Sequence, residues 1–381
     1  MNRLILFITA LTIAAALQAQ KLLKEPLTYV PADSVVIWGE DISDLRGTAL
    51  KLDASLTEQP LGEPGNKKDF VRKIKKWQTE YLPQINLAGG LGEENLPQTV
   101  ATANMTGLAA DLLRLTADSR LADVMERSLF NQLLREVALP GEMTMEKHVA
   151  AQALINATGK ILATDEEGIY INLYLNSTAH VRTKQFDVML DILTAMPHEG
   201  RIKVRLSGFR GNALPLKLRL RLPEWAMGKI TPADRFAIFP GAADKLPVFH
   251  VNGRELLTTV IENGYLVIDR KWNSGDEVFF DLPMQPFLVR KMADGKAQRG
   301  KVAIQRGPLL YVVREEHDDC YLSANTLPKP GEDFNRWGHI LLTGQLFRDR
   351  GTPADAAAPA VTITAEPYMD NKGDIWLREM R

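Results

Sequence analysis

Leu216-Lys217-Leu218-Arg219-Leu220-Arg221-Leu222 alternates apolar and cationic side chains without a break. Successive side chains of a strand point to opposite faces, so this segment predicts four leucines toward a core and three cations toward water. The same period of two recurs around it, in Gly168 to Leu175, Phe186 to Leu193, Arg201 to Leu206, Val248 to Val251, Gly264 to Asp269 and Glu277 to Leu282. It continues in Val302 to Gln305, Leu309 to Arg314 and Val361 to Ala365. Turn formers such as Asn252-Gly253, Asn273-Ser274-Gly275-Asp276 and Ala293-Asp294-Gly295 separate the strands, as hairpins require. Short strands at this spacing predict two antiparallel β-sandwich domains, one over 166–285 and a C-terminal one over 286–381. Thr352 to Pro359, rich in Ala and Pro, reads as a loop.

Before Asp165 the texture is helical. Gln98 to Arg114, Ser119 to Glu136 and Met145 to Ala163 are poor in Pro and Gly. In the second of these, Leu121, Val124, Met125, Leu129, Leu133 and Leu134 recur at helical spacing, which predicts one buried stripe. Asp118 or Ser119 is the expected N-cap, because either side chain can accept from the first free N–H groups. Between 20 and 97 the pattern is irregular. Val35 to Trp38 suits a strand, and Asp69 to Tyr81 suits a helix with Phe70, Ile74, Trp77 and Tyr81 on one face. The lysines and arginines around that stripe read as a solvated face rather than a membrane-binding one.

Composition narrows the function. The 381 residues carry 46 Lys plus Arg against 47 Asp plus Glu, a net charge of −1, so no overall field attracts nucleic acid. Met1-Asn2-Arg3, the apolar run Leu4 to Leu17 and Ala19 form a charged start, a hydrophobic stretch and a small residue at a cleavage point. That is the pattern of an export signal over 1–19, placing the mature chain in the periplasm or outside the cell. The run is shorter than the roughly 20 residues a spanning helix needs, so no membrane span is expected in the mature chain. Cys320 is the sole cysteine, so no intrachain disulfide is possible and no thiolate zinc cage can be built. His148, His180, His198, His250, His317 and His339 are not spaced as helical metal ligands. No cofactor and no metal is expected.

The ordered string from Gly168-Ile169-Tyr170-Ile171-Asn172-Leu173-Tyr174 through Thr194-x-Met196-Pro197-x-x-Gly200 is more telling than any of its parts. It continues with Leu220-Arg221-Leu222-Pro223-x-Trp225, Val251-Asn252-Gly253, Arg270-x-Trp272, Leu282-Pro283-Met284 and Arg306-Gly307-Pro308-Leu309-x-Tyr311. Pro367-Tyr368, Asn371-x-Gly373 and Trp376 close it. This order resembles the β-sandwich half of glycoside hydrolase family 127, the β-L-arabinofuranosidase-like enzymes. Upstream, Gly89-Gly90-Leu91-Gly92 and Leu108 to Phe130 resemble the glycine turn and following helix pair of the family's (α/α)6 barrel. The 146 residues from 20 to 165 are about half of what twelve helices with loops need. The expected fold is therefore α+β, with a partial helical (α/α)-barrel remnant over 98–165 followed by two antiparallel β-sandwiches.

The resemblance implies a retaining glycosidase chemistry, with a zinc-held cysteine thiolate as nucleophile and a glutamate as acid/base. The family's Glu-Thr-Cys-Ala motif falls on Gln98-Thr99-Val100-Ala101, and its paired cysteines fall near Met145-Glu146. Gln carries no carboxylate and Val no sulfur. Glu93 or Glu94 is the candidate remnant of the acid/base, although glutamates ahead of a helix also serve its dipole. Cys320, following Glu315, Glu316, Asp318 and Asp319, is a poor nucleophile among acidic neighbours. Two functions follow: an inactive relative that binds a plant or microbial glycan or acts as a partner subunit, or an active glycosidase on arabinose-containing glycans with other catalytic residues. The six tryptophans are candidate sugar platforms, and Lys217, Arg219 and Arg221 a candidate site for an acidic sugar. For Trp225 and Trp272 packing is the competing reading, and for the cations an ordinary outward strand face. Barrel helices deprived of neighbours would leave an apolar face that favours self-association.

Overall fold

The computed structural model describes residues 26–38, 98–138, 140–142, 144–209, 213–230, 236–239, 246–293, 296–313, 320–323, 326–334, 339–348, 359–370 and 375–379. The export signal, the helix expected over Asp69 to Tyr81, Glu93 and Glu94 lie outside the described residues.

Helix α1 spans Gln98–Thr116 and α2 spans Ser119–Ser128. The second expected helix is interrupted: a π-helical turn over Leu129–Leu133 separates α2 from α3, Leu134–Ala138. Asp118 is the N-cap of α2, its side chain accepting from Arg120 N at 3.1 Å. The third helix, α4, ends at Thr158 rather than Ala163. Gly159 closes it, and Leu162–Thr164 becomes a strand instead.

The strands, numbered in chain order, build three sheets. The first runs β1 (Thr28–Tyr29), β3 (Leu162–Thr164), β4 (Gly168–Ile171), β8 (Leu214–Arg221), β13 (Tyr265–Trp272) and β12 (Val260–Glu262). The second runs β11 (Arg254–Glu255), β10 (Phe249–Val251), β14 (Glu277–Asp281), β7 (Arg201–Ser207), β6 (Asp187–Thr194), β5 (Ser177–Arg182) and β2 (Val35–Ile37). The third runs β18 (Cys320–Leu322), β20 (Ile340–Arg348), β21 (Pro359–Pro367), β17 (Leu309–Val313), β16 (Lys296–Arg306), β15 (Pro286–Ala293) and β9 (Phe236–Phe239). Two more strands, β19 (Lys329–Phe334) and β22 (Leu377–Arg378), pair with β20 and β16. Strand β9 precedes residue 285 in the chain yet pairs with β15, register Val289 to Ile238. The third sheet therefore takes a strand from the middle segment.

Apart from one isolated parallel bridge that joins Leu322 to Glu379, pairing among the described strands is antiparallel except between β4 and β8. There Gly168 lies opposite Lys217, and a Cβ on it would meet the Lys217 carbonyl oxygen at 1.9 Å. Only glycine permits this approach. The leucines of β8 enter the core as the alternation requires: Leu216, Leu218 and Leu220 are at most 2% exposed. They join one buried cluster that includes residues of all three sheets and the helices, and Tyr174 meets Phe280 of the second sheet edge-on at 5.6 Å.

The helices tie the first sheet to the third. Asp123 and Glu126 of α2 reach Arg221 on β8. Three residues further along than the end of α2, Asn131 grips the third sheet: its Nδ2 donates to Pro308 O at 2.9 Å and its Oδ1 accepts from Leu310 N at 2.8 Å. No described helix is long and apolar enough to cross a membrane.

Candidate functional site

The positions matching the family's nucleophile motif form the first turn of α1. Thr99, 4% exposed, donates to Glu136 Oε2 at 3.2 Å and accepts from Gln132 Nε2 at 2.9 Å. Val100 is half-buried beside it. Met145 and Glu146, at the cysteine-pair positions, open α4 and are exposed. A Gln, Thr, Val and Met set with Glu146 as its one carboxylate does not fit zinc, which takes three or four Cys, His or carboxylate ligands. Among the described residues no group of three or more His, Cys, Asp or Glu could hold a metal ion. Cys320 is buried in β18 of the third sheet.

The cation row departs from its expected exposure. Arg219 is 4% and Arg221 0% exposed, and Lys217 is also ion-paired. Arg219 pairs with Asp165 at 3.2 Å and Glu167 at 3.2 Å, and its guanidinium lies 4.4 Å above the Tyr170 ring. Lys217 pairs with Glu167 at 2.9 Å. Arg221 donates one nitrogen to Asp123 and another to Glu126. Alternation told which way these side chains point, but not that helix α2 lies on that face. Asp123 and Glu126 are three apart on one helix face, a signal present in the sequence. The row is therefore not a free surface for an acidic sugar.

Trp225 and Trp272 pack inside as well. Trp225 Nε1 donates to Glu126 Oε2 at 2.9 Å, and Trp272 Nε1 donates to Leu216 O at 2.8 Å. Trp376 is 4% exposed, while Trp38 is 40% exposed. Trp77 and Trp337 lie outside the described residues.

Asp123 and Glu126 are two convergent carboxyl groups, but Arg221 and Trp225 engage them and both are nearly fully buried. They belong to a structural joint rather than an open catalytic pocket. Burial holds the Asp123 carboxyl well above the usual carboxylate range, outweighing the attraction of Arg221. The folded chain therefore binds the Asp123 proton more tightly than the unfolded chain. This contribution to stability is complete below the ordinary value of 3.8 and is lost as pH rises through the elevated folded value. Asp123→Asn mimics the protonated form, so wild-type stability should fall relative to this variant from pH 4 upward. Denaturant unfolding of both proteins between pH 4 and 8 checks this, and a constant difference would contradict it.

An open cleft of about 630 Å³ lies between the second sheet and the third. Three of the motif pieces singled out in the sequence converge there: Gly200, Leu282-Pro283-Met284 and Arg306. Glu199 and Asp281 stand exposed at its edge, and Arg201 is opposite Asp281 in the β7–β14 register. Gly200 makes this possible, because a Cβ would meet Leu282 O at 1.9 Å and Asp281 Oδ1 at 3.0 Å. Arg306 is 6% exposed, and its Nη1 donates to His198 O at 2.8 Å. In the sequence Arg306 stands out only as part of the Arg306-Gly307-Pro308-Leu309 motif, since the cleft joins segments about 100 residues apart.

Three large sheets bound to a short helical layer, with this cleft between two of them, define an α+β chain. Residues 168–284 match the family model described as β-L-arabinofuranosidase, GH127 middle domain. Over this segment the chain is similar to GH127 proteins. It is 23% identical over 258 residues to the non-reducing end β-L-arabinofuranosidase of Bifidobacterium longum subsp. longum, covering 57% of this chain and 35% of that one. Among solved structures, a GH127 β-arabinofuranosidase aligns with TM-score 0.66 and 21% identity, over 89% of this chain and 59% of the other. A GH127 β-L-arabinofuranosidase from Geobacillus stearothermophilus T6 aligns with TM-score 0.63 and 19% identity, over 91% and 61%. The chain spans about a third of the curated relative and about three fifths of these structures.

Proposed function

We propose that this GH127-like chain is an exported glycan-binding protein that does not hydrolyse glycosidic bonds. The observation that carries the reading is the chemistry at the family's nucleophile and cage positions, where Gln98, Val100, Met145 and Glu146 stand. Thr99 supports it, because its hydroxyl is committed to a packed joint with Gln132 and Glu136. The export pattern at 1–19 supports a role outside the cytoplasm. An arabinofuranosidase assay on an aryl β-L-arabinofuranoside, with and without added zinc, should give no turnover above the blank. Zinc-dependent turnover would overturn the reading.

The second reading, a glycosidase with other catalytic residues, is favoured by one feature. Glu199 and Asp281 share the cleft, and glycosidases work with two carboxyl groups. Metal-independent turnover that disappears in both Glu199→Gln and Asp281→Asn would establish it.

A further inference from the structure

We propose that the Arg306 cleft is a binding site for an acidic sugar, a uronic acid residue whose carboxylate pairs with Arg306. This rests on the glycan-binding reading and names its ligand class. The first observation is the cleft, whose volume of about 630 Å³ falls in the range that holds small ligands. The second is independent of it. Arg306 is 94% buried, yet its Nε has no hydrogen-bond partner and no described carboxylate lies within 4 Å of its guanidinium. The other deeply buried strand arginines all have carboxylates: Asp165 and Glu167 for Arg219, Asp123 and Glu126 for Arg221, and Glu379 for Arg290. An unpaired buried cation is costly, and a ligand carboxylate offers the planar, two-oxygen partner that the guanidinium fork fits.

The remaining groups select a sugar acid over a simple anion. Glu199 and Asp281 at the exposed edge can accept hydrogen bonds from sugar hydroxyls, which a simple anion lacks. Arg201 adds a second cation at the same edge, and Met284 and Val248 supply an apolar wall for a sugar face. The lysine and arginine row on β8 cannot play this part because its own carboxylates already hold it.

The test is titration calorimetry of the full chain with digalacturonic acid, its methyl ester, and the neutral digalactoside. The acid should bind at least tenfold more tightly than the ester, and its affinity should fall on raising salt. Arg306→Gln should weaken the acid at least tenfold. Should that variant fail to melt cooperatively, Val248→Asp decides instead: Val248 is 51% exposed at the cleft, so a new carboxylate there repels the acid while Val248→Asn does not. Equal affinity for acid and ester, or acid binding untouched by Arg306→Gln or Val248→Asp, would overturn the proposal and leave glycan binding standing. No binding of any of these sugars, with a glycan array equally blank, would overturn both.

Discussion

Replacing Arg221 with leucine is expected to lower the unfolding free energy by about 3–5 kcal/mol, the range for breaking a buried ion pair by removing one partner. Arg221 is fully buried, and its two carboxylate partners, Asp123 and Glu126, are 4% and 1% exposed. Leucine retains apolar bulk but leaves those carboxyl groups in a dry interface with little to replace the lost donors. Trp225 Nε1 and the Glu224 N–H remain, the first on Glu126 and the second on Asp123 at 3.3 Å, so the cluster does not lose every contact. Urea unfolding should show a lower midpoint with an unchanged slope. Adding Asp123→Asn and Glu126→Gln should recover part of the loss, because neutral amides are cheaper to leave buried than carboxylates. A loss below about 1 kcal/mol for the single variant would mean that water reaches this joint and screens it.

Asn131→Leu is the second large effect, at about 2–4 kcal/mol, since each buried polar group left without a partner costs about 1–3 kcal/mol. Asn131 is 0% exposed and sits inside the π-helical turn. Its amide donates to Arg127 O at 2.7 Å and Pro308 O at 2.9 Å, and its oxygen accepts from Leu310 N at 2.8 Å. Leucine strands the Leu310 N–H and the Pro308 carbonyl at once. Because Arg306 precedes Pro308 by two residues, the same variant should weaken acidic-sugar binding while leaving the first and second sheets intact. Hydrogen exchange should show increased opening at Leu309–Val313 and not at Leu214–Arg221. Uniform opening of both strands would show instead that the sheets unfold together.

Much of this fold is visible in the chain. Period-two leucines at 216, 218 and 220 and helical stripes through Val124, Met125, Leu129 and Leu133 put side chains where the core later needs them. These patterns are local because backbone geometry repeats every two or 3.6 residues. Several strands were less legible. Ser177–Arg182 mixes Thr, His and Arg into its alternation, Leu162–Thr164 continues the apolar pattern of α4, and Phe236–Phe239 has too few residues to show a period. Each is defined by its partner strand rather than by its own pattern.

The candidate site divides along the same line. The missing sulfur and carboxylate at Gln98 and Val100, and the sole cysteine at 320, are facts of the sequence alone, since no folding can supply an absent functional group. Which polar groups meet is decided only by tertiary structure. Arg219 and Arg221 look identical to surface cations until α2 and the loop at Asp165 bring carboxylates to them. Arg306 has the same chemistry and receives none from the described residues. The difference lies in contacts between residues 52 to 98 positions apart, and the free energy of a charge depends on those neighbours and their distance from water.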